Sequence, residues 1–359
     1  MPTRPASSAP RIAVVGGDGI GPEVLVQGRR VLEALAPDLV FEDFDLGAER
    51  YLRDGTTMPP ELMERWRTEF ACVYMGALGD PRVKSNVHAR DILLGARFQL
   101  DLYVNLRPIQ LLDARRCPLK GKGPADVDMV VFRENTEGLY TGIGGQFKRD
   151  TPDEVAIEAE MNTRKGVERI IRAAFELARR RDGKKRVCMS DKANAMRFAH
   201  DLWQRTFREV AREYADIEAS HLYVDVMAME MVRNPGRFDV IVTNNLFGDI
   251  LSDLGAGLAG GLGVAASGNI NPGQCSLFEP VHGSAPDIAG KGVANPMGSI
   301  LSAALLLDHI GFHAEAQLIE KAVEQAVAEH MTTRDLGGTH STEEVGKFIR
   351  GLVDEAARG

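Results

Sequence analysis

Short apolar runs alternate along this chain with longer segments in which apolar residues recur every three or four positions. Such runs predict buried β-strands, and the three- and four-residue spacing predicts helices with one apolar face. The alternation starts with a strand at 11–15, a helix at 21–35 and a strand at 41–45. This order of elements is typical of an α/β protein with a largely parallel sheet.

The same pattern predicts further elements downstream. Apolar runs predict five more strands, at 71–75, 129–132, 186–191, 221–225 and 240–243. Periodic segments predict three clear helices, at 162–181, 198–214 and 296–309. A chain of 359 residues is long enough for about two domains. Residues 1–10 contain no apolar run, so we predict a disordered tail there rather than a signal peptide.

Charge and cysteine content restrict the partners and the compartment. The chain has 43 basic and 51 acidic residues, a formal net charge of −8, which argues against a nucleic-acid-binding surface. No apolar run approaches the roughly 18 residues of a membrane span, so we expect no membrane partner. Four cysteines are far apart in the sequence: Cys72, Cys117, Cys188 and Cys275. They form no C-x-x-C pair, which favours reduced thiols in a cytoplasmic protein over a zinc cluster or a disulfide framework.

Glycines cluster where the backbone must approach another group closely. The clusters lie at 16–21, 138–145, 255–268 and 283–298. The first follows a predicted strand and opens a predicted helix, the setting of a dinucleotide-binding fingerprint. The third glycine of that fingerprint would fall at Pro22, so the spacing does not support an ordinary Rossmann fold. The segment predicts a sharp turn that leads into a helix.

Three carboxylates and a lysine are candidates for a metal and proton-transfer site. Asp249 and Asp253 are four residues apart, so on a helix they share one face. They form either a solvated helix face or a pair of oxygen ligands for Mg²⁺ or Mn²⁺, since their neighbours are apolar. Asp225 lies at the end of a predicted strand, and Lys192 follows another. Lys192 is either a surface cation or a base whose pKa is lowered by its surroundings.

Three arginines stand beside apolar segments and allow two interpretations. Arg97, Arg107 and Arg133 either bind the carboxylates of a di- or tricarboxylic acid or form ordinary salt bridges. Tyr140, seven residues after Arg133, is either a proton donor or a half-buried aromatic residue. Spacing alone does not decide between these alternatives.

Ordered motifs identify a family. They are GDGIGPE at 17–23, NLRP at 105–108, RENTEG at 133–138, DILSD at 249–253 and EPVHGSAPDIAG at 279–290. From about Arg11 to its C-terminus the chain resembles the isocitrate/isopropylmalate dehydrogenase family. The resemblance implies the two-domain α/β fold of isopropylmalate dehydrogenases, which has a largely parallel sheet and is not a Rossmann fold. It places the first, cofactor-binding domain at 11–107 plus 260–359 and the second domain at 108–259.

The resemblance also implies a metal-dependent oxidative decarboxylation of a 2-hydroxy acid, and it gives roles to the candidate residues. Mg²⁺ or Mn²⁺ is bound by three carboxylates, Asp225, Asp249 and Asp253. The substrate carboxylates are bound by three arginines, Arg97, Arg107 and Arg133. Proton transfer falls to Lys192 as the base on the hydroxyl and Tyr140 as the acid that protonates the enol.

In this family the active site is shared between two chains. Lys192 and Asp225 would enter the site of the partner subunit, so the resemblance implies a homodimer. The segment around 138–160 would be the arm that the two subunits exchange.

The resemblance places NAD⁺ on the second half of the chain. Its expected contacts are Ile20, Glu279, His282, Gly283, Ser284, Ala285, Asp287, Ile288 and Asn295. Asp287 predicts NAD⁺ rather than NADP⁺, because a carboxylate accepts hydrogen bonds from both ribose hydroxyls and repels a 2′-phosphate.

The segment before Arg97 points to the substrate. Leu93 and Leu94 match the apolar pocket of isopropylmalate enzymes. Asp91 favours the same substrate, because its carboxylate would repel the third carboxylate of a substrate such as isocitrate. We therefore predict the conversion of 3-isopropylmalate to 2-oxo-4-methylpentanoate and CO₂, a reaction of leucine biosynthesis. Arg90 and the NTE sequence at 135–137 depart from that branch.

Because of these departures, isocitrate, homoisocitrate, tartrate or another alkylmalate stay open as alternative substrates. A catalytically silent subunit that only binds metal and carboxylate is the alternative from another class of protein.

Overall fold

The structure is a computed structural model that describes residues 9–181 and 183–358. Residues 1–8, most of the predicted disordered tail, lie outside the described residues. The chain divides into two compact units. The first contains the residues up to Leu102, Leu111–Pro124 and the residues from Ala256 onward, and the second contains Tyr103–Gln110 and Ala125–Gly255.

The first part of the described chain forms seven strands and four helices in mixed order. In chain order they are β1 (Arg11–Val15), α1 (Gly21–Leu35), β2 (Val40–Asp43), α2 (Ala48–Asp54), α3 (Pro60–Glu69), β3 (Cys72–Met75), α4 (Val87–Gln99), β4 (Val104–Gln110), β5 (Asp128–Glu134), β6 (Gly144–Phe147) and β7 (Val155–Glu158).

The remaining described residues form five strands and seven helices. In chain order they are α5 (Arg164–Arg180), β8 (Arg186–Asp191), α6 (Ala199–Ala211), β9 (Glu218–Tyr223), α7 (Val224–Arg233), β10 (Val240–Thr243), α8 (Asn245–Leu258), β11 (Ala266–Ile270), β12 (Ser276–Pro280), α9 (Met297–Ile310), α10 (His313–Ala328) and α11 (Thr342–Ala356). The predicted α/β class with a largely parallel sheet is confirmed.

The first unit is built on a sheet of strand order β2-β1-β3-β12-β11, in which β11 alone runs antiparallel to its neighbour β12. Alternate residues of β1 enter two separate cores, as the two-residue period of a strand requires. Ile12 and Val14 pack with helices α1, α9, α10 and α11, whereas Ala13 and Val15 pack with α3 and α4. The sheet is therefore covered on both faces, which explains its nearly continuous apolar strands.

The second unit is built on strands in the order β4-β5-β10-β8-β9. β4 pairs antiparallel with β5, and the other neighbours are parallel. Helix α5 buries Ile170, Ile171 and Phe175 against this sheet. Because β5, β8, β9 and β10 are parallel, their carboxyl ends lie at one edge, where sites in α/β proteins form. The residues that follow these strands are therefore brought to that edge.

The observed division differs from the predicted one at short segments. Residues 103–107, predicted for the first domain, lie in the second unit. Residues 111–124 and 256–259, predicted for the second domain, lie in the first unit. The reason at the first boundary is strand pairing, since β4 pairs with β5 along its whole length, from Val104 opposite Glu134 to Gln110 opposite Asp128. Among the described residues, no helix combines the length and apolar character that crossing a membrane requires.

Candidate active site

Arg133 is the centre of a cluster in the second unit. It is the penultimate residue of β5, and only 2% of its surface is exposed. Its Nε donates to Asn245 Oδ1 at 2.9 Å, and Nη1 donates to Asp249. The Tyr140 hydroxyl donates to the other oxygen of Asp249 at 2.8 Å, and the tyrosine ring lies 5.2 Å from the guanidinium carbon. The structure thus brings together three residues that the sequence predicted for one site.

Asp249 and Asp253 lie one turn apart on α8, as predicted. Burial opposes the charge of Asp249, but the charge of Arg133, the hydrogen bond from Tyr140 and the charge of Arg107 outweigh it and lower the pKa of this carboxyl group. Burial and the negative charge of Asp249 raise the pKa of Asp253 above its ordinary value. The charge of Asp249 opposes the ionisation of Asp253, and a pair of carboxylates with oxygen donors only fits a hard divalent cation such as Mg²⁺ or Mn²⁺.

Arg107 provides a second cation on the same side of the sheet. It lies on β4, is 8% exposed, and its Nε donates to Asn105 Oδ1 at 2.8 Å. Its positive charge acts on both Asp249 and Asp253. The pair of carboxylates is therefore flanked by two buried guanidiniums, an arrangement suited to an anionic substrate that also chelates a cation.

Lys192 and Asp225 form a second, separate pair in the same unit. The Lys192 ammonium group lies 2.6 Å from Asp225 Oδ1, and this hydrogen bond lowers the pKa of Asp225. Asp225 was expected at the end of a strand, but β9 ends at Tyr223 and Asp225 lies in the first turn of α7. Within the described part of one chain, no three His, Cys, Asp or Glu side chains assemble into a metal site. One chain thus provides Asp249 with Asp253 in one place and Asp225 with Lys192 in another.

The loop predicted to bind the cofactor lies in the first unit and rests on the glycine turn. Ile20 donates its backbone N–H to Ser284 O at 2.8 Å, and its side chain packs against Ala285 and Ile288. Gly19 has a φ of +56°, and a Cβ there would overlap Ser284 O, which explains the glycine. The turn thus supports the loop at 282–290.

Within this loop, His282 and Asp287 are placed differently. Burial lowers the pKa of His282, and its Nε2 is buried without a hydrogen-bond partner, while Nδ1 lies 3.1 Å from Gly283 O. Asp287 and Gly283 are exposed. A loop that offers an exposed carboxylate and a buried ring nitrogen without a partner fits a polar ligand such as a nucleotide.

The other predicted cofactor contacts are buried and bonded within the first unit. Asn295 donates to Asp335 at 2.9 Å and accepts from the backbone of Met297 at 3.0 Å. Glu279 accepts from Asn269 at 3.0 Å. Its carboxylate also lies 3.9 Å from the guanidinium of Arg97.

The predicted specificity segment forms α4 of the first unit. Arg97 is buried near its C-terminal end, and Leu93 packs against the core that contains Ile92. Leu94 is half-buried on the same helix. Arg90 donates to Asp91 Oδ1 at 3.2 Å, so these two charges form a pair at the surface. The three candidate arginines are thus divided, with Arg97 in the first unit and Arg107 and Arg133 in the second.

Sequence reasoning missed several polar residues of the site. Asn105 could have been found, because residues i and i+2 of a strand face the same side and it lies two positions before Arg107. Asn245, which orients Arg133, lies four residues before the DILSD motif. His200 lies eight residues after Lys192 and Glu160 lies 40 residues before His200, and no motif connected either residue to the site.

Comparison with known proteins identifies the family of this chain. The family model described as isocitrate/isopropylmalate dehydrogenase matches residues 11–349. The chain belongs to this family, and it is therefore an enzyme, a metal-dependent decarboxylating dehydrogenase. Both the predicted family and the predicted class of enzyme are confirmed.

Relatives differ in the substrate that their names give. A 3-isopropylmalate dehydrogenase of Frankia casuarinae is 49% identical over 321 residues, 89% of this chain and 93% of the relative. One from Thermobifida fusca is 47% identical over 351 residues, 96% of this chain and 98% of the relative. The crystal structure of isocitrate dehydrogenase from Methylococcus capsulatus has a TM-score of 0.87 at 39% identity, covering 96% of this chain and 99% of that one.

Proposed function

We propose that the enzyme oxidises 3-isopropylmalate with NAD⁺ and releases one carboxyl group as CO₂, which gives 2-oxo-4-methylpentanoate for leucine biosynthesis. Relatives named 3-isopropylmalate dehydrogenase support this, at 47–49% identity over most of the chain. The structural observation that carries the proposal is the placement of Arg107 and Arg133 beside the carboxylates of α8. Such a site offers cations to substrate carboxylates and anions to a metal ion.

The carboxylates of α8 are the proposed metal ligands of one chain. Asp249 and Asp253 would hold Mg²⁺ or Mn²⁺ together with the partner subunit's Asp225. When bound, the cation supplies a Lewis acid and NAD⁺ a hydride acceptor. Arg107 and Arg133 hold the substrate carboxylates, and Arg97 is assigned to the same task by the resemblance.

Proton transfer is the proposed task of Lys192 and Tyr140. In its neutral form, the amine of Lys192 takes the proton from the substrate hydroxyl as the carbonyl forms. Tyr140 donates the proton of its hydroxyl to carbon after CO₂ has left. Asp249 accepts the hydrogen bond of that hydroxyl, which fixes the orientation of the tyrosine. Charged groups that hold Tyr140 and the substrate in place lower the activation barrier of the reaction, and no covalent bond to the protein is needed.

The substituent of the substrate is the part that Leu93 and Leu94 are proposed to contact. Arg90 is paired with Asp91, so its positive charge is balanced at the surface of α4. A negatively charged substituent would therefore find no unbalanced cation at this position, which supports an uncharged substituent. Burial of an isopropyl group is worth about 2 kcal/mol, enough for a clear preference.

NAD⁺ is the proposed cofactor. We assign it to the loop residues His282, Gly283, Ser284, Ala285, Asp287 and Ile288, with Ile20, Glu279 and Asn295 next to them. The exposed carboxylate of Asp287 and the buried, unpartnered Nε2 of His282 support a nucleotide at this loop. We also place the reaction in the cytoplasm, where the four free cysteines would stay reduced.

A homodimer that exchanges its arm is proposed from the hairpin β6–β7. Gly145 pairs with Ile157 and Phe147 pairs with Val155. Since alternate residues of a strand face the same side, the side chains of Phe147, Val155 and Ile157 share one face of the hairpin. Phe147 and Ile157 are 66% and 62% exposed in the single chain. A two-stranded hairpin is marginally stable by itself, and an exposed apolar face of this kind marks an interaction surface.

A substrate panel tests the proposed reaction. Purified enzyme with Mg²⁺ or Mn²⁺ and NAD⁺ is assayed by NADH absorbance on 3-isopropylmalate, isocitrate, homoisocitrate and tartrate. We expect the highest kcat/KM with 3-isopropylmalate. An advantage of about tenfold or more for another acid would overturn the substrate assignment. No turnover of any of them would favour the silent subunit.

A further inference from the structure

A buried histidine lies behind the proposed base. His200 is on α6, eight residues after Lys192, and it is fully buried. Its Nδ1 lies 2.7 Å from the backbone nitrogen of Lys192. Since the backbone N–H donates, Nδ1 must be an acceptor. His200 is therefore a neutral imidazole with its proton on Nε2.

A buried carboxylate fixes this tautomer. His200 Nε2 lies 3.0 Å from Glu160 Oε1 and donates to it. Asn162 and Asn244 donate to the same oxygen at 2.8 and 3.0 Å. Burial opposes the charge of Glu160, but these hydrogen bonds, led by that of His200, lower the pKa of Glu160. An ionised acceptor on one side of the ring leaves the other nitrogen free to accept, as in sites where a carboxylate orients a histidine.

Both backbone groups of Lys192 are thereby fixed. Its N–H is bonded to His200, and its carbonyl accepts from the backbone of Ala195 and Met196 at 2.9 and 2.8 Å. Asn244 connects the same network to α8, because its Oδ1 accepts from the backbone of Phe247 at 2.9 Å. The loop that carries Lys192 and the helix that carries Asp249 thus share one buried polar network.

We propose that His200, held by Glu160, is a positioning residue for Lys192. The acceptor at Nδ1 sets the backbone from which the lysine side chain reaches the substrate hydroxyl. This inference rests on the proposed function of Lys192 as the base. Its consequence is specific, since the Nδ1 acceptor matters to turnover and the mere size of the side chain does not.

Two substitutions of His200 distinguish the role of its Nδ1 acceptor from the role of its size. His200→Asn places an amide oxygen near the position of Nδ1 and keeps an acceptor for the Lys192 N–H. His200→Gln places its amide near the position of Nε2, so it keeps a donor to Glu160 and loses that acceptor. The readouts are kcat and KM on the substrate identified by the panel, and hydrogen exchange of the peptide that contains the Lys192 amide.

We expect the Gln variant to lose about tenfold or more in kcat with KM nearly unchanged, together with the exchange protection at Lys192. We expect the Asn variant to keep both. Folded variants that lose kcat alike, or that both keep it, overturn the proposal. If the Gln variant does not fold, Glu160→Ala, which removes the acceptor for Nε2, decides by the same two readouts, with loss of both supporting the proposal and retention of both contradicting it.

Lys192→Ala distinguishes this proposal from the one on which it rests. Full turnover by Lys192→Ala would end the role of Lys192 as base, and the positioning role with it. An inactive Lys192→Ala beside a fully active His200→Gln would contradict the positioning role alone.

Discussion

In the second unit, the positive charge of Arg133 and the negative charge of Asp249 lie next to each other. Arg133 is anchored at Nε by Asn245, which leaves its terminal nitrogens for an anion, and Asp249 takes one of them in the single chain. In the proposed reaction, a substrate carboxylate would replace that contact when the proposed cation occupies Asp249 and Asp253. Because each of these contacts is made by a single side chain, each can be tested by one substitution.

Replacement of the proposed base is the most direct residue-scale test. We expect Lys192→Ala to lose turnover by several orders of magnitude while its melting temperature changes little, since the side chain is partly exposed. Lys165→Ala is the matched control, because Lys165 is exposed on α5 of the same unit. Turnover measured by NADH absorbance in both variants decides, and full activity of Lys192→Ala would contradict the assignment.

Cofactor choice is predicted to depend on Asp287. Its carboxylate repels the 2′-phosphate of NADP⁺, and like charges brought together at an interface cost several kcal/mol. We expect wild-type enzyme to use NAD⁺ and Asp287→Ala to raise the ratio of kcat/KM for NADP⁺ over NAD⁺ about tenfold. Asp38→Ala, an exposed carboxylate of the same unit, should leave the ratio unchanged. Equal use of both cofactors by the wild-type enzyme would refute the NAD⁺ assignment.

At the scale of elements, α8 is packed so tightly on β5 that a glycine is required. A Cβ at Gly248 would lie 2.5 Å from Cγ and 2.6 Å from Cβ of Arg133, atoms near the backbone that cannot move aside easily. The close approach is what brings Asp249 within reach of the Arg133 guanidinium.

We therefore expect Gly248→Ala to destabilise the enzyme by about 1–3 kcal/mol and to lower kcat/KM, because Arg133 is displaced. Gly257→Ala on the same helix is the control. No atom lies within 4 Å of a Cβ there, so the change should be neutral or stabilise by up to about 1 kcal/mol. Thermal unfolding and kinetics of the two variants provide the measurement, and unchanged kinetics of Gly248→Ala would contradict the packing argument.

Elements with strong periodicity were predictable and exposed ones were not. The helix at Gly21–Leu35 has the predicted bounds, since Pro22 marks its first turn and its apolar face is regular. The hairpin β6–β7 was missed because all eight of its residues are exposed, and short exposed strands have no buried alternation to detect. Asp225 was misplaced for a related reason, since strand β9 leads into α7 without a turn.

The site itself was predictable in residue type but not in geometry. The sequence analysis named Arg133, Tyr140 and Asp249 as candidates, and the fold brings the three together. No spacing indicated that His200 receives the Lys192 N–H or that Glu160 holds the ring. These contacts depend on the packing of α6 and of residues beyond the hairpin, which a single sequence does not specify.

At the scale of the whole molecule, the hairpin is predicted to hold the dimer together. We expect Phe147→Asp to yield a monomer by analytical ultracentrifugation and to abolish turnover, because a charge on the apolar face opposes burial. Gln146→Asp is the matched control on the opposite face of the same strand and should stay dimeric and active. A dimeric, active Phe147→Asp would contradict an interface at this face.

The separation of Lys192 and Asp225 from the carboxylates of α8 has a genetic consequence. Lys192→Ala and Asp249→Asn chains should each be inactive as homodimers. In a mixed dimer with the proposed shared sites, one site would receive an intact Asp249 from the first chain and an intact Lys192 from the second. Co-refolding the two in equal amounts should restore about a quarter of wild-type turnover, since half of the dimers are mixed and each has one intact site. The two alleles would then complement each other in one cell, although neither supports activity alone.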